Sequence, residues 1–220
     1  MPRTTSEISR IVRSLQRTRV RWHPTSVAQI AERSRDPFRV LVSCLISLRT
    51  KDEVTAEASA RLFRLATTPQ AMLALPASRI ARTIYPAGFY RTKARTIREI
   101  CRRLLGEHGG RVPEDLEALL RLKGVGRKTA NLVVTMGHGK PGICVDTHVH
   151  RISNRLGIVK TVTPEQTEFA LREVLPGRFW IPYNDLLVSF GQNVCKPISP
   201  LCGTCPVQTL CPRLGVARHR

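Results

Sequence analysis

Apolar positions along the chain recur at helical spacing. Ile8, Ile11, Val12 and Leu15 share one face after a capping box running from Thr4 to Glu7, which predicts a helix over 5–18. The stretch 37–48, PFRVLVSCLISL, is apolar on nearly every side and belongs in the centre of a bundle. Thr50 and Glu53 have capping-box spacing and predict a helix opening there and reaching about Ala66. Ala94, Ile97, Ile100, Cys101, Leu104 and Leu105 line a helix over 91–107, which Gly109-Gly110 ends. Pro113 and Glu114 open a short helix through Leu122. Thr163-Pro164-Glu165-Gln166 is a cap with proline in the first helical position, and a last helix runs from about Pro182 to Val194. No strand-like alternation persists, and there is no repeat, low-complexity tract or long linker. The pattern predicts an all-α fold of about ten short helices in two layers.

The chain has 220 residues, 42% of them hydrophobic, enough for one sizeable core or two small ones. The N-terminal segment has no apolar run of signal-peptide type, and no segment has the uninterrupted apolar length a bilayer demands, so no membrane partner is expected. Charge changes the picture. Lys and Arg number 36 against 16 Asp and Glu, a net charge of +20. The excess is mostly Arg and is spread from Arg3 to Arg220. A domain this basic suggests a polyanionic partner, usually nucleic acid, although a ribosomal protein or an arginine-rich proteome gives the same number.

Cysteine usage adds a metal centre. Cys44, Cys101 and Cys144 sit among apolar neighbours and read as core residues. Cys195, Cys202, Cys205 and Cys211 crowd the end of the chain with the spacing C-x6-C-x2-C-x5-C. A reducing cytosol is the expected compartment, so clustered cysteines point to a metal before disulfides. Four thiolates in one loop suit structural zinc or a [4Fe–4S] cluster, and spacing alone does not choose.

The most informative stretch is Leu122-Lys-Gly-Val-Gly-Arg-Lys-Thr-Ala130. Gly124 and Gly126 permit positive φ and close approach of a ligand to the backbone. The amides of Val125, Gly126 and Arg127 then point outward at a helix start, which suits a phosphate, while Val125 plugs the two helices together. Such a helix-hairpin-helix holds one DNA strand by its backbone without reading sequence. The plainer alternative is an αα-hairpin turn with glycine caps. Lys128 stands in the first turn of the following helix, where the dipole and partial burial both disfavour its ammonium form. A neutral amine there can attack a sugar carbon and form a Schiff base; a surface lysine contacting phosphate fits the local sequence equally well. Asp146 precedes a helix carrying Ile152 and Leu156, so it is an N-cap candidate. A carboxylate there also stabilises the oxocarbenium character of glycosidic cleavage, provided one oxygen is left over from capping.

LKGVGRKTANLVV followed by VDTHVHRISNRLG resembles the helix-hairpin-helix DNA glycosylases and, within them, the endonuclease III family. The likeness runs from about Asp36 to Cys211. It implies that Lys128 is the nucleophile at C1′ and Asp146 the essential aspartate, eighteen positions later. It implies a [4Fe–4S] cluster on the four C-terminal cysteines, and base flipping from damaged double-stranded DNA. Arg49 stands where the family has a Gln that fills the vacated stack, and Phe89 stands at its apolar wedge. Lys123 replaces a usual proline, and His148 lies where the family lines its base pocket. By the same resemblance, residues 30–140 form a six-helix barrel, 1–29 and 141–220 form the cluster domain, and the active site lies in the cleft between them. The implied protein is a monomeric, cytoplasmic, nucleoid-associated enzyme of prokaryotic type. Its implied activity is that of a bifunctional glycosylase/AP lyase for oxidised pyrimidines. A monofunctional adenine or mismatch glycosylase is the nearer alternative, against which Lys128 argues. A non-catalytic, cluster-bearing DNA-binding protein is the further one.

Overall fold

The computed structural model describes residues 3–19, 26–34 and 36–220. Among the described residues the secondary structure is helical, with no strand. The chain divides into two compact units, Met1–Thr25 with Pro141–Arg220, and Ser26–Lys140. No helix among the described residues is long and apolar enough to cross a membrane.

The middle unit holds α2 (Ser26–Ser34), α3 (Pro37–Ser47), α4 (Asp52–Phe63), α5 (Pro69–Ala74), α6 (Ala77–Ile84), α7 (Tyr90–His108), α8 (Leu116–Leu120) and α9 (Arg127–Leu132), which continues as a π turn over Val133–Gly137. Helix α3 begins where Pro37 pre-sets φ and Asp36 accepts the Phe38 amide at 2.9 Å. Phe38, Val40, Leu41, Val42, Cys44, Leu45 and Ile46 are all buried, so α3 is the axle of the unit. It packs against α2, α4, α7, α9 and the π turn. The turn comes so close that a Cβ on Gly137 would lie 2.8 Å from the Pro37 Cα. Cys44 and Cys101 are buried core residues, and desolvation pushes both thiols up to about 12.

The other unit holds α1 (Thr5–Thr18), α10 (Thr147–Arg155), α11 (Pro164–Val174), a 3₁₀ turn over Gly177–Phe179 and α12 (Trp180–Asn193). The capping box from Thr4 to Glu7 forms, with the Glu7 carboxylate held below its usual range by bonds from Thr4. Thr163 and Gln166 close a second box at α11. Ile8, Ile11, Val12 and Leu15 meet Val149, Ile152, Leu171, Tyr183, Leu187 and Phe190 in one core.

Two expected helix starts moved. The box read at Thr50 and Glu53 does not form: α4 starts at Asp52, its N-cap Lys51 makes no side-chain cap, and the Thr50 hydroxyl is engaged elsewhere. The helix expected from Pro113 starts at Leu116, because Asp115 caps it by accepting the Ala118 amide at 2.8 Å.

Candidate nucleic-acid interface and cluster site

Helices α8 and α9 form the hairpin. Val125 is buried at its centre and its amide donates to the Leu122 carbonyl at 3.1 Å, while Gly124 and Gly126 stay exposed. Only Gly124 takes a positive φ, +80°, with the Thr96 methyl 3.0 Å from where a Cβ would sit. Gly126 is extended at φ −91°, so positive φ is not its reason for being glycine. It is the N-cap of α9, a Cβ there would meet nothing within 4 Å, and its bareness leaves the first amides of α9 open to a phosphate. Lys128 is the second residue of α9. It is exposed, which corrects the expectation of partial burial. Its ammonium lies within electrostatic reach of the buried Cys44 thiol below it.

Arg49 and Phe89 share one recess of about 380 Å3 with Leu45, Leu48, Thr96 and Gly124. The recess therefore borders the hairpin within one unit. Phe89 is 61% exposed, so it is not a core aromatic. The Arg49 guanidinium carbon stands 5.6 Å from the Phe89 ring centroid, a cation–π distance. Both residues adopt the left-handed region, at φ 52° and 56°, unusual for side chains of this size.

In the other unit Asp146 is the N-cap of α10. Its Oδ1 accepts the His148 amide at 2.9 Å and the Val149 amide at 3.0 Å, so both cap bonds fall on one oxygen. The His148 ring is tucked against α12: a Cβ on Gly191 would come 2.4 Å from its Nδ1. The same Nδ1 lies 3.2 Å from the Arg151 guanidinium. Desolvation, the larger influence, lowers the pKa of Arg151, against the charges of Asp146 and Cys195.

Cys195, Cys202, Cys205 and Cys211 line one apolar-walled hollow with Phe190, Val207 and the stem of Arg155. None of the four is in a disulfide. Among the described residues no three His, Cys, Asp or Glu side chains meet as the ligands of a single ion would. Arg155, 9% exposed, donates through its guanidinium to the Lys196 and Pro197 carbonyls at 2.7 Å and lies 3.6 Å from the Cys195 sulfur. The Arg213 amide donates to the Cys211 sulfur at 3.4 Å. Burial pushes the Cys205 thiol up to about 11 and raises Cys211 as well. The donor set, the amide and the apolar walls fit an iron–sulfur cluster.

Comparisons with known proteins agree with this geometry. Residues 42–177 match the HhH-GPD superfamily of base excision DNA repair proteins, and residues 195–211 match the iron–sulfur binding domain of endonuclease III. The chain is 52% identical over 176 residues to endonuclease III of Thermotoga maritima, covering 80% of this chain and 83% of that one. It is similar to a solved structure of a non-covalent endonuclease III–DNA complex, with a TM-score of 0.84, 33% identity and 96% of each chain covered. It is also similar to a trapped endonuclease III–DNA covalent intermediate, with a TM-score of 0.82 and 32% identity over 96% of this chain and 97% of that chain. The hairpin, the helix that Asp146 opens and the four-cysteine loop are thus parts of one inherited architecture: the chain belongs to the endonuclease III family of the HhH-GPD superfamily, base excision DNA glycosylase/AP lyases that carry a [4Fe–4S] cluster.

Proposed function

We propose that this protein removes oxidised pyrimidines from duplex DNA and cuts the strand through a Schiff base on Lys128. The observation that carries the reading is the placement of Lys128 two residues past the hairpin's bare Gly126, so that the grip on the strand and the nucleophile share one turn. A phosphate held at the start of α9 brings a sugar within reach of the amine, and fixed geometry of this kind lowers the barrier entropically.

The Lys128 amine attacks C1′, the C1′–N bond breaks, and the base leaves with a proton. Asp146 stabilises the positive charge that develops on the sugar before and during attack. The resulting imine acidifies C2′. Loss of that proton expels the 3′ phosphate by β-elimination, and water then hydrolyses the imine to regenerate the amine. Arg49 fills the space opposite the orphaned base and Phe89 wedges the stack; Arg127 and the hairpin glycines hold the backbone, while Val125, expected to offer its amide, spends it on the Leu122 carbonyl and serves as the buried plug of the turn. His148 supports the start of α10, and it reaches DNA only if its ring leaves Gly191. The middle unit is in this reading the helical barrel, and the unit of both ends the cluster domain. The protein acts as a monomer.

Cys195, Cys202, Cys205 and Cys211 hold the cluster, which when bound supplies a structural cross-link of the C-terminal loop. Replacing Cys205 by Ala is expected to remove the visible charge-transfer absorbance. Thermal unfolding should fall by about 10 °C or more, since losing a structural metal costs several kcal/mol at about 2–4 °C each.

The test of function is strand cleavage on duplexes carrying thymine glycol, an oxidised purine, a mismatch or a plain abasic site. The expected result is cleavage at thymine glycol and at the abasic site, leaving an unsaturated sugar on the 3′ end. Base release without cleavage would favour the monofunctional alternative.

A further inference from the structure

Lys93 lies on α7, one turn after Phe89, and is only 7% exposed. Burial lowers its pKa to about 8. Among the described residues no carboxylate pairs with it. Its Nζ instead donates to the Ile46 carbonyl at 2.6 Å, the Leu48 carbonyl at 2.6 Å and the Thr50 Oγ1 at 2.8 Å. Three donors thus meet three acceptors, which is what a buried ammonium requires. Ile46 and Leu48 end α3, where unpaired carbonyls and the helix dipole both favour a cation.

The acceptors frame Arg49. Leu48 and Thr50 are its two neighbours in sequence, and Arg49 itself has φ 52°. Thr50 Oγ1 also accepts the Gly88 amide at 3.1 Å, and Gly88 precedes Phe89. A Cβ on Gly88 would sit 2.4 Å from the Arg49 carbonyl oxygen, so the two turns pack backbone against backbone. A left-handed Arg and a left-handed Phe persist side by side only where the surroundings hold them. Here the holding groups are the Lys93 ammonium and the Thr50 hydroxyl.

We propose that Lys93 is a positioning residue: by tying the end of α3 to the turn before α7, it presets Arg49 and Phe89 as one preassembled wedge for entry into the duplex. Lys93 is buried and acts through these two side chains. The proposal rests on the reading of Arg49 and Phe89 as the inserted residues. Part of the insertion cost is then met in the free enzyme, because neither turn has to be ordered when the base leaves the stack.

The test compares Lys93→Met, Thr50→Val, Arg49→Ala and Phe89→Ala in the cluster-loaded protein. Each is assayed under single-turnover conditions on a duplex with thymine glycol and on a single-stranded abasic oligonucleotide, which has no stack to enter. Lys93→Met is expected to lower duplex excision about tenfold or more while leaving single-strand cleavage unchanged within error. Placed on top of Phe89→Ala it should cost little further. Thr50→Val, which removes only the bridging hydroxyl, should shift the same ratio by a smaller factor, and it decides the question if Lys93→Met does not fold. The proposal is overturned if Phe89→Ala impairs duplex activity but Lys93→Met leaves the duplex-to-single-strand ratio untouched, or if Lys93→Met lowers both substrates alike. If neither Arg49→Ala nor Phe89→Ala affects the duplex, the insertion reading fails first and takes this proposal with it.

Discussion

Lys128→Gln is expected to abolish strand cleavage at a plain abasic site and to lower base excision by about 10^4-fold or more, the scale seen when an enzyme loses its nucleophile. Glutamine has nearly the length of lysine and a polar end, so the start of α9 keeps its shape. Lys128 is exposed, so the melting temperature should stay within about 2 °C of wild type, as for other surface substitutions. DNA affinity should fall only slightly, because the hairpin amides and the remaining arginines still neutralise phosphates. The variant therefore separates gripping from chemistry. Gel-shift binding and single-turnover cleavage on the same abasic duplex measure the two. A Lys128→Gln protein that still nicks the strand would place the nucleophile elsewhere.

Asp146→Asn is the second large effect, and the geometry says why Asn rather than Ala is the informative change. The cap bonds from the His148 and Val149 amides both end on Asp146 Oδ1. An Asn carbonyl can accept the same two amides, and Asn is as good an N-cap as Asp. Stability should thus change by less than about 0.5 kcal/mol. The negative charge is gone, however, and with it the stabilisation of the cationic sugar. Excision should drop by about 10^2–10^3-fold, the usual cost of removing one preorganised electrostatic group. Asp146→Ala loses the cap as well and should cost about 1 kcal/mol more in a denaturant titration. Equal excision by wild type and Asp146→Asn would reduce Asp146 to a helix cap.

The elements legible in the sequence were those whose determinants are local. The boxes at Thr4–Glu7 and Thr163–Gln166 formed because each hydroxyl had no better partner than its own helix. The same motif at Thr50 failed because a partner 43 residues away, Lys93, and the Gly88 amide claimed the hydroxyl. No window of sequence shows such a competitor. Helices α5 and α6 are short, with few buried residues to mark a period, and the pattern did not reveal them.

The site divides in the same way. Local pattern marked Gly124, Val125, Lys128 and Asp146 as candidates with plainer alternatives left open, and resemblance to the family supplied the roles of Lys128, Asp146, Arg49 and Phe89. It missed Lys93, which reads as one more surface lysine in a basic helix until its three acceptors are seen. Of the two reasons the sequence offered for Gly126, positive φ does not hold and an open approach to the backbone does, since the two look alike in a sequence. The exposure of Lys128 was equally hidden.

The central claim is that this amine forms a covalent bond to the sugar. Borohydride reduction during turnover of a thymine-glycol duplex, followed by peptide mapping of the adduct by mass spectrometry, tests it most directly. The account predicts a stable protein–DNA adduct on the peptide containing Lys128, and none with undamaged duplex. Absence of an adduct from a folded, cluster-loaded, DNA-binding protein, or an adduct on another residue, would contradict it.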